Sequence, residues 1–282
     1  MFKNVLVGVD GKPNGRDAIA LAAQLVDADG RLTLAHVHSG GLRPSHAISP
    51  GLVREERDAS EQLLETERAA AGVSAELISI VELTVGRGLH LRAEEQGADL
   101  IVVGSSSRGA LGRAMLGDDT RAALNGARSA VAIASLGYAE RSAPISRIGV
   151  AYNGSTESEA ALALARELAA NTKASLQALE VVSIPTYAYT GLVAPALGDG
   201  IEEMIEEART RMGKLPGVDG RAVYGLTGEE LAAFGDQVDL LVTGSRGYGP
   251  ARRLVLGSTS DYLQRHARCS LLVLTRSAPA ND

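Results

Sequence analysis

Short apolar runs recur along the chain, and segments of helical period separate them. Val5-Leu6-Val7-Gly8-Val9 is the first run, and Arg31-Leu32-Thr33-Leu34-Ala35-His36-Val37 is the second. Ala98 to Gly104 and Ala130-Val131-Ala132-Ile133-Ala134 follow. Such runs, rich in Val, Ile, Leu and Ala, predict strands of a parallel sheet covered by helices. Ile19, Ala22, Ala23 and Val26 fall at helical spacing, as do Ala161, Leu164, Ala165 and Leu168 further on,. The charged stretch from Arg54 to Arg68, with Leu63 and Leu64 embedded, predicts a helix with a solvated face, and Ile201 to Met212 is its counterpart. Neither charge run calls for a role beyond solvation.

The pattern is one unit written twice. Val5 to Gly11 matches Ile148-Gly149-Val150-Ala151-Tyr152-Asn153-Gly154, and Arg31 to Val37 matches Ser175 to Val181. Ala98 to Gly104 matches Val238-Asp239-Leu240-Leu241-Val242-Thr243-Gly244, and Ala130 to Ala134 matches Ser270-Leu271-Leu272-Val273-Leu274,. Glu76-Leu77-Ile78 and Arg221-Ala222-Val223-Tyr224 add one strand each, so every unit has about five strands in a doubly wound sheet. The boundary falls near Ser142 to Ser146, giving domains at 1–140 and 146–282, and the last residues, Ser277 to Asp282, read as frayed,.

Composition narrows the class. At 282 residues and 45% hydrophobic, the chain can bury two ordinary cores,. A net charge of -6 without a dense Lys/Arg block argues against nucleic acid and membrane surfaces as partners,. The single cysteine, Cys269, rules out a disulfide framework and reads as buried,. The opening apolar stretch is too short for a signal peptide or a membrane span, so the chain reads as cytoplasmic. His36 and His38 on a strand admit metal ligation, but packing and hydrogen bonding explain them better, so no metal is assigned.

The most specific motif follows the run Asp239 to Thr243. Gly244-Ser245-Arg246-Gly247 is followed by nine residues and then Gly257-Ser258-Thr259-Ser260. Glycines there let the backbone approach an anion, and the amides and hydroxyls opening a helix can bind phosphate oxygens. Arg252 and Arg253 add charge nearby. The bland alternative is a strand-helix turn with solvated arginines. No G-x-x-x-x-G-K-[ST] or G-x-G-x-x-G occurs where a P-loop or a dinucleotide fold would need it, and no Ser-His-Asp set can be assembled,.

On these residues the halves resemble tandem universal stress protein domains, whose nucleotide-binding members carry G-x-x-G, nine residues, then G-S/T. The resemblance implies an α/β fold of two Rossmann-like, adenine nucleotide α hydrolase-like domains. Each would be a five-stranded parallel sheet with helices on both faces, the two forming an intramolecular pseudo-dimer in which the last strands meet. It also implies ATP, or ADP or AMP, as ligand. An aspartate ending the first strand would contact ribose or adenine, and a valine ending the second would pack on the base. In the second half these positions hold Asn153 and Val181, with Ala151 and Tyr152 beside them. An Asn153-Gly154 turn is the competing account of Asn153.

The first half keeps Asp10, Val37, Gly104 and Gly117 but has Ser107 in place of Gly247 and Asp118-Asp119 in place of Ser258-Thr259. Carboxylates repel phosphate, and Asp118 at a helix start caps the helix itself. The first site is therefore expected to be degenerate, with a Mg-assisted site on Asp118 and Asp119 as the alternative. The long connections His38 to Pro50 and Ser183 to Gly200 suggest a flap, the second carrying Ile184, Tyr187, Tyr189, Leu192 and Val193,. The leading function is a nucleotide-dependent sensor or regulator acting through the second domain, with an unidentified regulatory protein as partner and homodimerisation open. Slow ATP hydrolysis beside Asp261, with no catalytic residue assignable, and a nucleotide-independent scaffold are the alternatives.

Overall fold

The computed structural model describes residues 1–40, 50–105, 127–141, 143–183, 197–244 and 258–275. In the first half β1 (Phe2–Gly8), α1 (Pro13–Leu25), β2 (Val26–His38), α2 (Pro50–Ala71), β3 (Glu76–Val81), α3 (Val85–Gln96), β4 (Leu100–Gly104) and β5 (Ala130–Ala134) follow one another. A short helix, α4 (Tyr138–Arg141), leads to β6 (Arg147–Ala151), α5 (Thr156–Thr172), β7 (Ser175–Val182), α6 (Leu197–Gly213) and β8 (Asp219–Tyr224). The second half closes with α7 (Thr227–Gly235), β9 (Leu240–Gly244), α8 (Ser258–His266) and β10 (Ser270–Leu274).

The strands form one 10-stranded sheet in the order β3-β2-β1-β4-β5-β10-β9-β6-β7-β8. Each half is parallel throughout, and the halves meet where β5 and β10 pair antiparallel, with Leu272 opposite Ala132. Alternate residues of the strands face opposite ways, as the period of a strand requires. Val5, Val7, Leu100, Val102, Leu240, Val242 and Leu272 enter a core under α1, α2, α5 and α6. Leu6, Ile101, Val103, Leu241, Leu271 and Val273 enter a second core under α3, α7 and α8. Both cores run across the joint, so burial on the order of 25 cal/mol per Å² of apolar surface stabilises the halves together.

Helix α1 corrects one expectation. It stops at Leu25, and Val26 opens β2 instead of continuing the helical face. Ala18, Ile19, Leu21, Ala22 and Leu25 are the buried stripe, while Ala23 faces solvent. β-Branched Val26 favours the strand, and its N–H still closes the helix end on the Ala22 carbonyl,. The charge runs also differ from expectation: Glu67 on α2 is buried and paired with Arg16, at 2.8 and 3.0 Å. Cys269 is buried, as expected, and burial pushes its thiol up to about 12.

Side chains tie the connection between halves to both of them. Asp17, buried on α1, accepts from Gly137 N (2.9 Å) and Ala139 N (2.8 Å), and Gln24 accepts from Ile145 N (2.7 Å). Asp239 accepts from Ser146 N, Ser146 Oγ and Arg147 N, and pairs with the Arg147 guanidinium at 2.9 Å. Asp99 makes the matching pair of bonds to Lys3 N and Asn4 N in the first half. Partial burial pushes the Asp239 carboxyl up, but the Arg147 and Ser146 hydrogen bonds outweigh it and leave the group below its ordinary range. A carboxyl depressed by folding stabilises the protein above its unfolded value near about 4, and that contribution is lost as pH falls through the folded value. Asp239→Asn should therefore lower stability at pH 7, and the gap to the unsubstituted protein should narrow as pH falls below about 4. Urea unfolding across that range checks this; a gap independent of pH would contradict it.

Candidate functional site

A cleft of about 540 Å³ opens at the carboxyl ends of β6, β7 and β9. Strand β6 delivers Ala151, Tyr152 and Asn153 to it, and β7 delivers Leu179, Glu180 and Val181. These two strand ends lie side by side, with Ala151 opposite Leu179 and Tyr152 N bonded to the Leu179 carbonyl at 3.0 Å. Thr243 and Gly244 come from the end of β9, and Thr259 and Ser260 from the first turn of α8. The fold thus gathers Ala151, Tyr152, Asn153, Val181, Gly244, Thr259 and Ser260 around one space. Ser258 is the first residue of α8. Ser245, Arg246, Gly247, Arg252 and Gly257 lie outside the described residues, as does the stretch from Ile184 to Val193.

Asn153 builds a turn. Its Oδ1 accepts from Ser155 N at 3.2 Å, and Gly154 follows at φ +74°, where glycine is favoured,. Ser155 then caps α5 by accepting from Ser158 N at 3.3 Å,. Gly244 has a packing role as well: a Cβ there would stand 2.7 Å from the Glu157 carbonyl oxygen in the first turn of α5. The same crowding is tighter in the first half, where a Cβ on Gly104 would stand 2.0 Å from the Asn14 carbonyl oxygen.

Three features of the cleft escaped the sequence reading. Glu180 is 6% exposed and accepts from Arg211 Nε (3.0 Å) and Nη2 (2.7 Å), a two-bond pairing that raises the Arg211 guanidinium above its ordinary value,. Arg211, with Met204 and Glu207, makes α6 one wall of the cleft, where its charge run had suggested only solvation. Tyr152 is buried and donates its hydroxyl to Glu159; burial and that bond push the phenol up to about 12. A glutamate between Leu179 and Val181 near a strand end was the one signal available in the sequence. Asp261, considered for hydrolysis, is paired with Arg265 on α8 and is not among the described residues lining the cleft.

In the first half Asp10, Val37 and Gly104 stand at the carboxyl ends of β1, β2 and β4, while Gly117, Asp118 and Asp119 lie outside the described residues. Asp10 holds the turn before α1, accepting from Lys12 N (3.2 Å) and pairing with Lys12 Nζ (3.2 Å). His36 occupies the place of Glu180, with Nδ1 2.9 Å from Ser60 Oγ, and His38 Nε2 lies 2.8 Å from Ser79 Oγ. Burial and the neighbouring His38 push His36 below its ordinary value, with Asp10 opposing them. Among the described residues no helix is long and apolar enough to cross a membrane, and no group of three metal-binding side chains occurs.

A model of the Universal stress protein family matches residues 1–135 and 144–275. A universal stress protein from Archaeoglobus fulgidus DSM 4304 is 19% identical over 97% of this chain and 98% of its own, with a TM-score of 0.67. A putative universal stress protein from Pseudomonas aeruginosa UCBPP-PA14 is 15% identical over 98% and 95%, with a TM-score of 0.68. A universal stress protein solved in complex with cAMP is 26% identical over 36% of this chain and 76% of its own, with a TM-score of 0.29.

The crowding at Gly244 separates a packing role from a ligand role. Gly244→Ala should destabilise the protein without any ligand, by roughly 1–3 kcal/mol, because the Glu157 carbonyl must shift. Urea unfolding of the ligand-free protein reads this directly; an unchanged midpoint would remove the packing role.

Proposed function

The chain belongs to the universal stress protein family, and from that premise we propose that its second half binds an adenine nucleotide and acts as a nucleotide-dependent sensor in the cytoplasm. The observation that carries this reading is the convergence of Asn153, Val181, Gly244, Thr259 and Ser260 on one cleft. The lining suits the two ends of a nucleotide. Val181, Leu179 and Leu231 supply an apolar wall for a base, and Thr259 and Ser260 lie in the first turn of a helix, whose N-terminal amides favour anions,. Ligands of open α/β sheets bind outside the carboxyl ends of strands, which is where this cleft lies.

In this reading Ala151, Tyr152 and Asn153 border the nucleoside, and Ser245, Arg246, Gly247, Arg252, Gly257 and Ser258 hold the phosphates of ATP, with Mg as an accompanying ion. The first domain, 1–140, is a degenerate partner of the second, 146–282. Binding biases the conformation presented to a regulatory protein, in proportion to the ligand's preference for one conformation over another.

Protein purified without added nucleotide, then denatured, should release one adenine nucleotide per chain by mass spectrometry. Two per chain would contradict the degenerate first site, and none, together with no ATP binding by calorimetry, would leave a scaffold. Gly257→Val should abolish ATP binding in calorimetry while leaving the folded state intact; unchanged affinity would overturn the phosphate assignment.

A further inference from the structure

Resting on the nucleotide reading of the same cleft, we propose that Glu180 is the acceptor for the sugar hydroxyls and makes the site select ribonucleotides over deoxyribonucleotides. A carboxylate that is 6% exposed on a strand that also buries Ala178, Leu179 and Val182 is costly to keep,. Its pairing with Arg211 does not explain it, because an apolar pair of similar volume stabilises a fold as well or better. Both Glu180 oxygens accept from Arg211, yet each oxygen of a carboxylate has a second lone pair,. Glu180 lines the same cleft as Asn153 and Val181, and in this proposal its remaining acceptor capacity is what a nucleoside there would use.

The internal repeat supplies an independent argument. In the first half the corresponding positions hold Asp10 and His36, and the charge of Asp10 reaches His36. In the second half the same positions hold Asn153 and Glu180. Each half thus has one carboxylate across these two strand ends, moved from the first strand to the second. Carboxylates at both would repel, so the change to Asn153 and the gain of Glu180 fit together as one exchange. Asn153 uses its side-chain oxygen to hold the turn to Ser155, which leaves Glu180 as the charged acceptor. A carboxylate bridging vicinal sugar hydroxyls is the chemistry by which nucleotide folds recognise ribose.

Calorimetric titration of the full chain with ATP, 2′-deoxy-ATP and 3′-deoxy-ATP tests this. The unsubstituted protein should favour ATP over the deoxy forms by about 10- to 100-fold, the range for a hydrogen bond to a charged group. Glu180→Leu with Arg211→Met removes the pair together, so no buried charge is stranded, and should bind all three equally. Glu180→Gln keeps the volume and should reduce the preference to a few-fold, which preserves the test should the double variant fail to fold. An unaltered preference in either variant, or none in the unsubstituted protein, overturns the role of Glu180 while leaving nucleotide binding standing. No binding of any of the three to the unsubstituted protein overturns the nucleotide reading, and this inference with it.

Discussion

Strands β5 and β10 are buried at every residue, yet each would be an edge strand if its five-stranded unit stood alone. An exposed edge of Ala130 to Ala134 or Ser270 to Leu274 would offer unpaired backbone groups and apolar side chains to any passing strand. Pairing the two edges satisfies both at once. The joint also carries polar detail: Ser270 Oγ accepts from Ser135 N at 3.2 Å, and Thr275 Oγ1 donates to the Arg128 carbonyl at 2.8 Å. Because the pairing is antiparallel and each half is parallel, the carboxyl ends of the two sets of strands point to opposite edges of the sheet. The two sets of strand ends therefore lie apart, and the residues at either can change without a direct clash with the other.

The repeat, the strand runs and the helix-opening Thr259 and Ser260 were legible because they depend on local pattern and fixed spacing. The parallel sheet within each half followed from the same source, since strand-helix repetition calls for parallel strands. What escaped was contact between elements distant in sequence. Glu180 and Arg211 look unremarkable apart, one as an odd glutamate and the other as part of a charged helix, and only the packing of α6 on β7 makes them a pair. Helix α1 was overextended because periodicity alone does not distinguish Val26 as the last residue of a helix from the first of a strand.

Corresponding positions in the two halves carry opposite charges, which explains why one cleft has an ion pair on its floor. In the first half Arg16 on α1 holds Glu67 on α2, and helix is clamped to helix. In the second half the matching positions are Glu159 on α5 and Arg211 on α6. Tyr152 engages Glu159, so Arg211 turns to Glu180 on the strand. The same two positions thus serve as a clamp between helices in one half and as a cleft wall in the other.

The retained glycines need separate reading in that light. Gly104 and Gly244 end equivalent strands, and at both a side chain would collide with the first turn of the helix that follows the half's first strand. Close packing of strand on helix requires glycine there whether or not phosphate binds, so the presence of Gly104 is not by itself a sign of a binding site in the first half. Asp10 likewise has turn work to do through Lys12, whatever its relation to a ligand. The contrast between halves then stands in the sequence at other positions: Ser107 against Gly247, Asp118 and Asp119 against Ser258 and Thr259, and His36 against Glu180. Those positions differ together, and under the proposed function every difference removes from the first half a group that the second half would offer to a nucleotide.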